Sequence, residues 1–337
     1  MNEHADWLAQ VVEAPIEPDL PIVDPHHHFW DRSPGWITDS YLLPDLLADI
    51  ASGHNVRATV FIECGAMYRS DGPDALRCIG ETEFVNGIAA MSASGRYGPA
   101  RVAAGIIGHA DLRLGDAVVP VLEAQIAAGG GRFRGVRQVV AYDASDGVPV
   151  ARDPRPPHML LGDDFRAGFR HLAAHGLVFE AWLFHPQISE LTDLARAFPD
   201  TVIVLNHLGG PLGVGPYADD REGVFAQWAR DIADLAACPN VMAKIGGLNM
   251  PINGYGWRDR PQPPTSEELC DATRRWYEHA IDAFGVERCM FESNFPVDSV
   301  SCSYGVLWNS FKRLAAGWSA DEKAAVFHDN AARVYRL

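Results

Sequence analysis

Eight short apolar segments recur along the chain, and most of them are followed by a segment with the apolar spacing of a helix. They cover residues 21–28, 58–65, 102–110, 135–142, 178–185, 202–207, 241–246 and 288–294. Nearly continuous apolar runs, as opposed to alternating ones, are typical of parallel strands that are buried on both faces. This repeat of strand and helix predicts right-handed β–α–β units and a parallel sheet.

The number of units favours closure into a (β/α)8 TIM barrel over an open, doubly wound sheet. An open nucleotide-binding sheet carries a glycine-rich turn after its first strand, and here that place reads Pro25-His26-His27-His28. We predict one barrel domain over residues 21–337, preceded by an N-terminal extension over residues 1–20. Long loops are expected at the carboxyl ends of strands, at 66–80, 143–162 and 249–264.

Charge and cysteine usage limit the classes of partner. The formal net charge is −16, so the surface repels nucleic-acid phosphates and anionic membranes, and neither is expected as a partner. The 6 cysteines form no CxxC pair, and the acidic N-terminus lacks the pattern of a signal peptide. We expect a cytoplasmic protein with a small-molecule substrate, and the sequence leaves open whether it forms a homo-oligomer.

Four histidines stand at the ends of predicted strands. His26 and His28 are two residues apart and therefore point to the same side of the first strand, while His27 points away. His185 ends the fifth segment and His207 ends the sixth. Because the carboxyl ends of barrel strands meet at one mouth, we expect these four rings to share a site. An HxH pair alone is also a common structural feature, so the prediction depends on the whole set.

The order of these motifs resembles the amidohydrolase superfamily, in particular the amidohydrolase-related branch. That branch contains sugar lactonases, 2-pyrone-4,6-dicarboxylate lactonase and several metal-dependent decarboxylases. The similarity covers about residues 20–337. The segments that carry it are 24–31 (DPHHHFWD), 105–112 (GIIGHADL), 134–138 (RGVRQ), 185–187 (HPQ), 206–211 (NHLGGP), 291–296 (FESNFP) and 328–337 (HDNAARVYRL).

The resemblance implies a divalent metal, with Zn²⁺ as the expected ion. Its ligands would be His26, His28 and His185, and His207 would act as an acid or base beside the metal-bound water. Members of the lactonase branch also work without bound metal, so hydrolysis by the imidazole cluster alone remains an alternative.

The chain departs from the family at the end of the eighth strand, where the usual Asp is replaced by Asn294. An amide does not accept a proton at neutral pH, so the catalytic base is either His207 or a nearby carboxylate such as Asp298. Glu292 shares a face with Asn294, and its place about 6–7 Å deeper along the strand predicts a supporting role or a core ion.

Five further residues are candidates for substrate binding: Arg137, Gln138, Lys244, Trp257 and Arg258. A buried, unpaired lysine is costly, so Lys244 is expected either to contact substrate or to pair with a carboxylate such as Glu292. A structural salt bridge is an equally good reading of Arg137, and plain packing is the alternative for Trp257.

Together these features predict a hydrolase that opens a small lactone derived from a sugar acid or an aromatic catabolite. The chain has no GxSxG nucleophile elbow and no Walker A sequence, so serine hydrolases and P-loop enzymes are poorly supported. The main alternative is a metal-dependent decarboxylase or hydratase on the same imidazoles. A barrel that binds a ligand without turning it over is a third reading, because Asn294 replaces the family's Asp.

Overall fold

The computed structural model describes residues 3–32, 38–149 and 155–337. Eight parallel strands form one sheet in the order β1 to β8, each paired with its neighbours in sequence. The strands are β1 Pro21–His27, β2 Asn55–Ile62, β3 Arg101–Gly108, β4 Phe133–Val139, β5 Val178–Trp182, β6 Ile203–Leu205, β7 Val241–Ile245 and β8 Cys289–Phe291. The predicted (β/α)8 barrel is confirmed.

Helices surround this sheet in the order expected for a barrel. They are α1 Glu3–Leu8, α2 Leu43–Ile50, α3 Ile79–Ala93, α4 Val119–Ala128, α5 Asp163–Phe169, α6 His171–Ala174, α7 Ile188–Ala197, α8 Arg221–Ala236, α9 Ser266–Phe284, α10 Tyr304–Leu314, α11 Ala320–Ala324 and α12 Asn330–Tyr335. Within the described residues, no helix combines the length and apolar character needed to cross a membrane.

Several strands end earlier than the apolar segments predicted. β5 ends at Trp182, β6 at Leu205 and β8 at Phe291, so the polar ends of those segments belong to loops. The cause is clearest after β6, where His207 and Leu208 adopt left-handed backbone conformations with φ of 51° and 53°. A strand cannot continue through such residues, and the chain turns at the mouth. The predicted loop at 143–162 lies partly outside the described residues.

The barrel is closed between its last and first strands. The amide of His28 donates to the carbonyl of Phe295 at 2.8 Å, and the amide of Asn294 donates to that of His26 at 2.9 Å. Beneath these bonds, the fully buried Asp24 accepts the Ser293 hydroxyl at 2.6 Å. The closure therefore fixes the backbone of the HxH pair against the segment that follows β8.

The apolar core has an outer and an inner part. The outer part lies between the strands and the helices, and it contains large side chains such as Trp228 and Trp308. The inner part fills the barrel with small and branched side chains, including Val60, Ile107 and Val204. The C-terminal helix α12 adds Tyr335 to this inner cluster and so helps to form the floor of the barrel.

The segment before β1 packs on the outside of the barrel by specific hydrogen bonds. Trp7 Nε1 donates to the carbonyl of Arg260 at 3.1 Å, which ties α1 to the 249–264 loop. Glu13 accepts from the backbone amide of Ser266 at 2.8 Å and from Asn309 Nδ2 at 3.0 Å. Burial acts to raise the pKa of Glu13, but these hydrogen bonds outweigh it and hold the pKa below its ordinary value.

We predict that Glu13→Ala lowers the free energy of unfolding by about 1–3 kcal/mol, because it leaves the buried Ser266 amide without an acceptor. Urea unfolding at neutral pH measures the change. A carboxyl with a depressed pKa stabilises above its unfolded pKa, so the difference from the parent protein should shrink as the pH falls below about 4. Glu3→Ala, on the exposed face of α1, is the control and should change the free energy by less than about 0.5 kcal/mol. Equal effects of the two variants would contradict this role for Glu13.

Candidate active site

Two imidazoles and one carboxylate meet at the mouth of the barrel. His26 lies on β1, His207 follows β6 and Glu292 follows β8. The two oxygens of Glu292 lie 2.7 Å from His26 Nδ1 and 2.7 Å from His207 Nδ1, and the two ring centroids are 4.5 Å apart. One ligand atom from each residue lies within 4.8 Å of the others. We call these three residues the mouth cluster.

Two glycines after β7 make room for the mouth cluster. A Cβ on Gly247 would lie 2.1 Å from His207 Nδ1, and a Cβ on Gly246 would lie 2.4 Å from the backbone oxygen of Glu292. Gly247 also has a φ of 67°, which other residues rarely adopt. The cluster thus depends on the Gly-Gly pair as well as on its own side chains.

Burial dominates the electrostatics of the mouth cluster. Desolvation raises the pKa of Glu292 to about 8, although the ammonium of Lys244 works against this shift. Desolvation lowers the pKa of both His26 and His207 well below the ordinary value, and nearby cations add to the effect. The rings are therefore neutral at pH 7, and each keeps a nitrogen lone pair that can bind a metal.

Of the other two histidines predicted for the site, His28 lies beside the mouth cluster and His185 packs against a loop tyrosine. The His28 ring lies 4.9 Å from that of His26, and its Nδ1 is 2.8 Å from the carbonyl oxygen of Ile62. His185 packs against Tyr217 with ring centroids 5.1 Å apart, and burial lowers its pKa to about 4. The structure groups His26 with His207 and Glu292, and His28 and His185 are outside that group. Their role as ligands remains a prediction.

Two buried cations stand beside His26, and each is paired with a carboxylate. Arg137 Nε donates to Glu63 at 2.9 Å, and Lys244 Nζ donates to Glu180 at 2.8 Å. Arg137 also approaches His26 Nε2 at 3.4 Å, while Lys244 approaches His26 Nδ1 at 3.3 Å. The expectation that Lys244 pairs with a carboxylate is met, but the partner is Glu180 on β5 and not Glu292.

Asn294 and Asp298 form a pair next to the closure of the barrel. Asn294 Nδ2 donates to Asp298 at 2.8 Å, and the amide of Asn249 donates to the other carboxylate oxygen at 3.3 Å. Burial raises the pKa of Asp298 to about 7, against the lowering effect of these hydrogen bonds. A carboxyl with that pKa exchanges protons readily near neutral pH.

Gln138 and Trp257, two of the remaining predicted substrate-binding residues, contact loop residues. The Gln138 side chain accepts from the amide of Leu112 at 2.9 Å and donates to Asp111 at 2.8 Å, which anchors the loop after β3. Trp257 stacks on Tyr255 with centroids 5.7 Å apart, in the 249–264 loop. Arg258 follows Trp257 in that loop and is exposed. Substrate binding by Gln138, Trp257 and Arg258 remains a prediction.

Glu292, for which the sequence predicts a supporting role or that of a core ion, is fully buried and contacts both His26 and His207. Strand β8 ends at Phe291, so Glu292 is the first residue beyond it. The signal available in the sequence was the Gly246-Gly247 pair, which marks a close approach of another chain segment to β7.

The mouth cluster fits a divalent metal. Two imidazole nitrogens and one carboxylate oxygen form a set that Zn²⁺ commonly binds. The group is buried, and burial raises the pKa of the Glu292 carboxyl. A bound cation would stabilise the charged form of that carboxyl. His26, His207 and Glu292 are therefore the residues that would hold the ion.

Comparison with known proteins places this chain in a family. A family model described as amidohydrolase matches residues 23–337, which is nearly the whole barrel. The chain belongs to the amidohydrolase family. Together with the relatives described below, this membership makes the protein a hydrolase.

Relatives and solved structures match this amidohydrolase along almost its full length. The uncharacterized protein y4mH of Sinorhizobium fredii is 35% identical, over 95% of this chain and 99% of that protein. The L-fucono-1,5-lactonase of Burkholderia multivorans is 28% identical, over 94% of this chain and 96% of the relative. A crystal structure of an amidohydrolase from B. multivorans with bound zinc has a TM-score of 0.71 and 25% identity, over 94% of this chain and 99% of that one.

Proposed function

We propose that this amidohydrolase opens a small lactone by attack of water on the ring carbonyl. The observation that carries the proposal is the hydrogen-bonded pair of His207 and Glu292 at the mouth of the barrel. The relatives named as L-fucono-1,5-lactonases support a sugar-derived lactone as the substrate class.

The His207–Glu292 pair has the geometry of a base with its orienting carboxylate. His207 Nδ1 is 2.7 Å from Glu292, and the backbone amide of His207 donates to the same oxygen at 3.1 Å. When Nδ1 donates its proton to Glu292, Nε2 is left as the acceptor for a proton from water. The carboxylate then stabilises the imidazolium that forms, and the proton can return to the ring oxygen that leaves the carbonyl.

The neighbouring residues supply the rest of the chemistry. Trp182 packs edge-on against the His207 ring at 4.8 Å between centroids and limits its rotation. A divalent cation held by His26, His207 and Glu292 would polarise the carbonyl and lower the pKa of a bound water. With His207 engaged in that way, Asp298 is the nearby carboxyl whose pKa of about 7 suits it to take the proton.

The test is a ring-opening assay that measures acid release from a panel of five- and six-membered aldonolactones, with and without added zinc. We expect at least one lactone to be hydrolysed with kcat/KM of about 10⁴ M⁻¹s⁻¹ or more. His207→Gln should lower kcat by about 10²–10⁴-fold, because the base is lost. His279→Gln, on helix α9, is the matched control and should keep full activity. Because burial raises the pKa of Glu292, the rate should increase between about pH 6 and about pH 9.

Two results would contradict the proposal. Release of CO₂ from a carboxylic acid, without ring opening of any lactone, would favour the decarboxylase alternative. Binding of lactones without turnover of either kind would favour a ligand-binding barrel.

A further inference from the structure

The floor beneath the mouth cluster contains a buried carboxylate that no step of the proposed reaction uses. Glu180 lies on β5 and is fully buried. One of its oxygens accepts from Lys244 Nζ at 2.8 Å and from Asn206 Nδ2, and the other accepts from the hydroxyl of Tyr335. Three donors from β7, from the turn after β6 and from the C-terminal helix therefore meet on this one side chain.

Two of these donors are direct neighbours of the mouth cluster. Lys244 Nζ lies 3.3 Å from His26 Nδ1. Asn206 immediately precedes His207, whose left-handed conformation, with a φ of 51°, turns the chain at this point. The Glu180 carboxylate is thus linked to His26 through the ammonium group of Lys244 and to His207 through Asn206, its neighbour in the chain.

The third donor comes from the opposite end of the barrel. Helix α12 inserts the fully buried ring of Tyr335 among inner core residues such as Val178, Val204 and Met290. The ring centroid also lies 5.5 Å from Lys244 Nζ. The C-terminal helix therefore contributes a polar group to the interior in addition to apolar packing.

We propose that Tyr335 is a positioning residue for the mouth cluster, because its hydroxyl fixes Glu180 and thereby holds Lys244 against His26 and Asn206 beside His207. The expected effect on kcat rests on the proposed lactone hydrolysis, whereas the expected effect on the positions of the His26 and His207 rings does not. A residue of the C-terminal helix thus acts on the site from the face of the barrel opposite to the mouth.

Tyr335→Phe tests the inference, because it keeps the ring in the floor and removes only the hydroxyl. Tyr97→Phe is the control, because Tyr97 is an exposed tyrosine in the loop after α3. Two quantities are measured for both variants: kcat and KM on the preferred lactone, and the NMR signals of the His26 and His207 ring nitrogens. Spectra of His26→Gln and His207→Gln assign those signals, and thermal unfolding verifies that each variant is folded.

We expect Tyr335→Phe to lower kcat by about tenfold with KM unchanged, as is typical when a partner of an active-site group is removed. The ring signals of His26 and His207 should also shift, and Tyr97→Phe should change neither quantity. The inference is wrong if the two variants behave alike, or if kcat falls while both ring signals stay in place. Should the unaltered protein hydrolyse no lactone, the proposed function fails, and the NMR comparison alone still decides the positioning role.

Discussion

Glu292→Gln is expected to lower kcat for lactone opening by about a thousandfold, with the folded structure retained. Glutamine keeps the size of the side chain and an oxygen that can accept from His207, but it cannot stabilise an imidazolium by charge. It also removes the only carboxylate of the mouth cluster, so zinc binding should weaken as well. Steady-state kinetics and a zinc titration measure the two effects separately.

The control for this substitution is Glu287→Gln, an exposed residue just before β8 that should retain the parent's kinetics. Kinetics of Glu292→Gln within about threefold of the parent would show that the carboxylate takes no part in proton transfer. If Glu292→Gln lost zinc binding but kept full activity, Glu292 would bind the metal without taking part in hydrolysis. Hydrolysis would then depend on the imidazoles alone.

Lys244→Met is expected to lower the free energy of unfolding by about 3–5 kcal/mol, because it leaves the carboxylate of Glu180 buried without its cation. The double variant Lys244→Met with Glu180→Gln should recover much of this loss. Glutamine there is neutral, its one oxygen can accept from Asn206, and its amide NH2 can donate to the hydroxyl oxygen of Tyr335. Urea unfolding of the parent, the single variant and the double variant measures the effect.

A matched substitution at an exposed cation, Arg258→Met, should change the free energy of unfolding by less than about 0.5 kcal/mol. If Lys244→Met were as stable as the parent, the pair with Glu180 would be unimportant for folding. If the double variant were less stable than the single one, the hydrogen bonds of Glu180 would matter more than its charge.

The barrel was predictable because burial on both faces leaves a strong signal in the sequence. Segments such as 241–246 are apolar almost throughout, and eight of them in alternation with helices admit few other architectures. Strand ends were less predictable. The same apolar character continues into residues near the mouth, such as Phe184 and Leu208, which pack in the core without belonging to a strand.

The site was predictable only in part. Histidines at strand ends pointed to His26 and His207, which the structure brings together. The contact of Glu292 with both His26 and His207 was not predictable, because spacing along one strand does not show which side chains of other strands a carboxylate meets. Glu180 was also missed, although a single acidic residue in an apolar strand implies a buried partner such as Lys244. Loop residues such as Arg258 follow no periodicity, so the sequence does not show where their side chains lie relative to the mouth cluster.

The most direct test of the account is a crystal structure of the protein with the aldonate produced from its best lactone substrate. We expect the carboxylate of that product, which was the ring carbonyl, to lie within hydrogen-bonding distance of His207 and beside His26 and Glu292. A product bound elsewhere, for example in the 470 Å³ cavity between α1 and α10, would contradict the assignment of the mouth cluster as the catalytic centre.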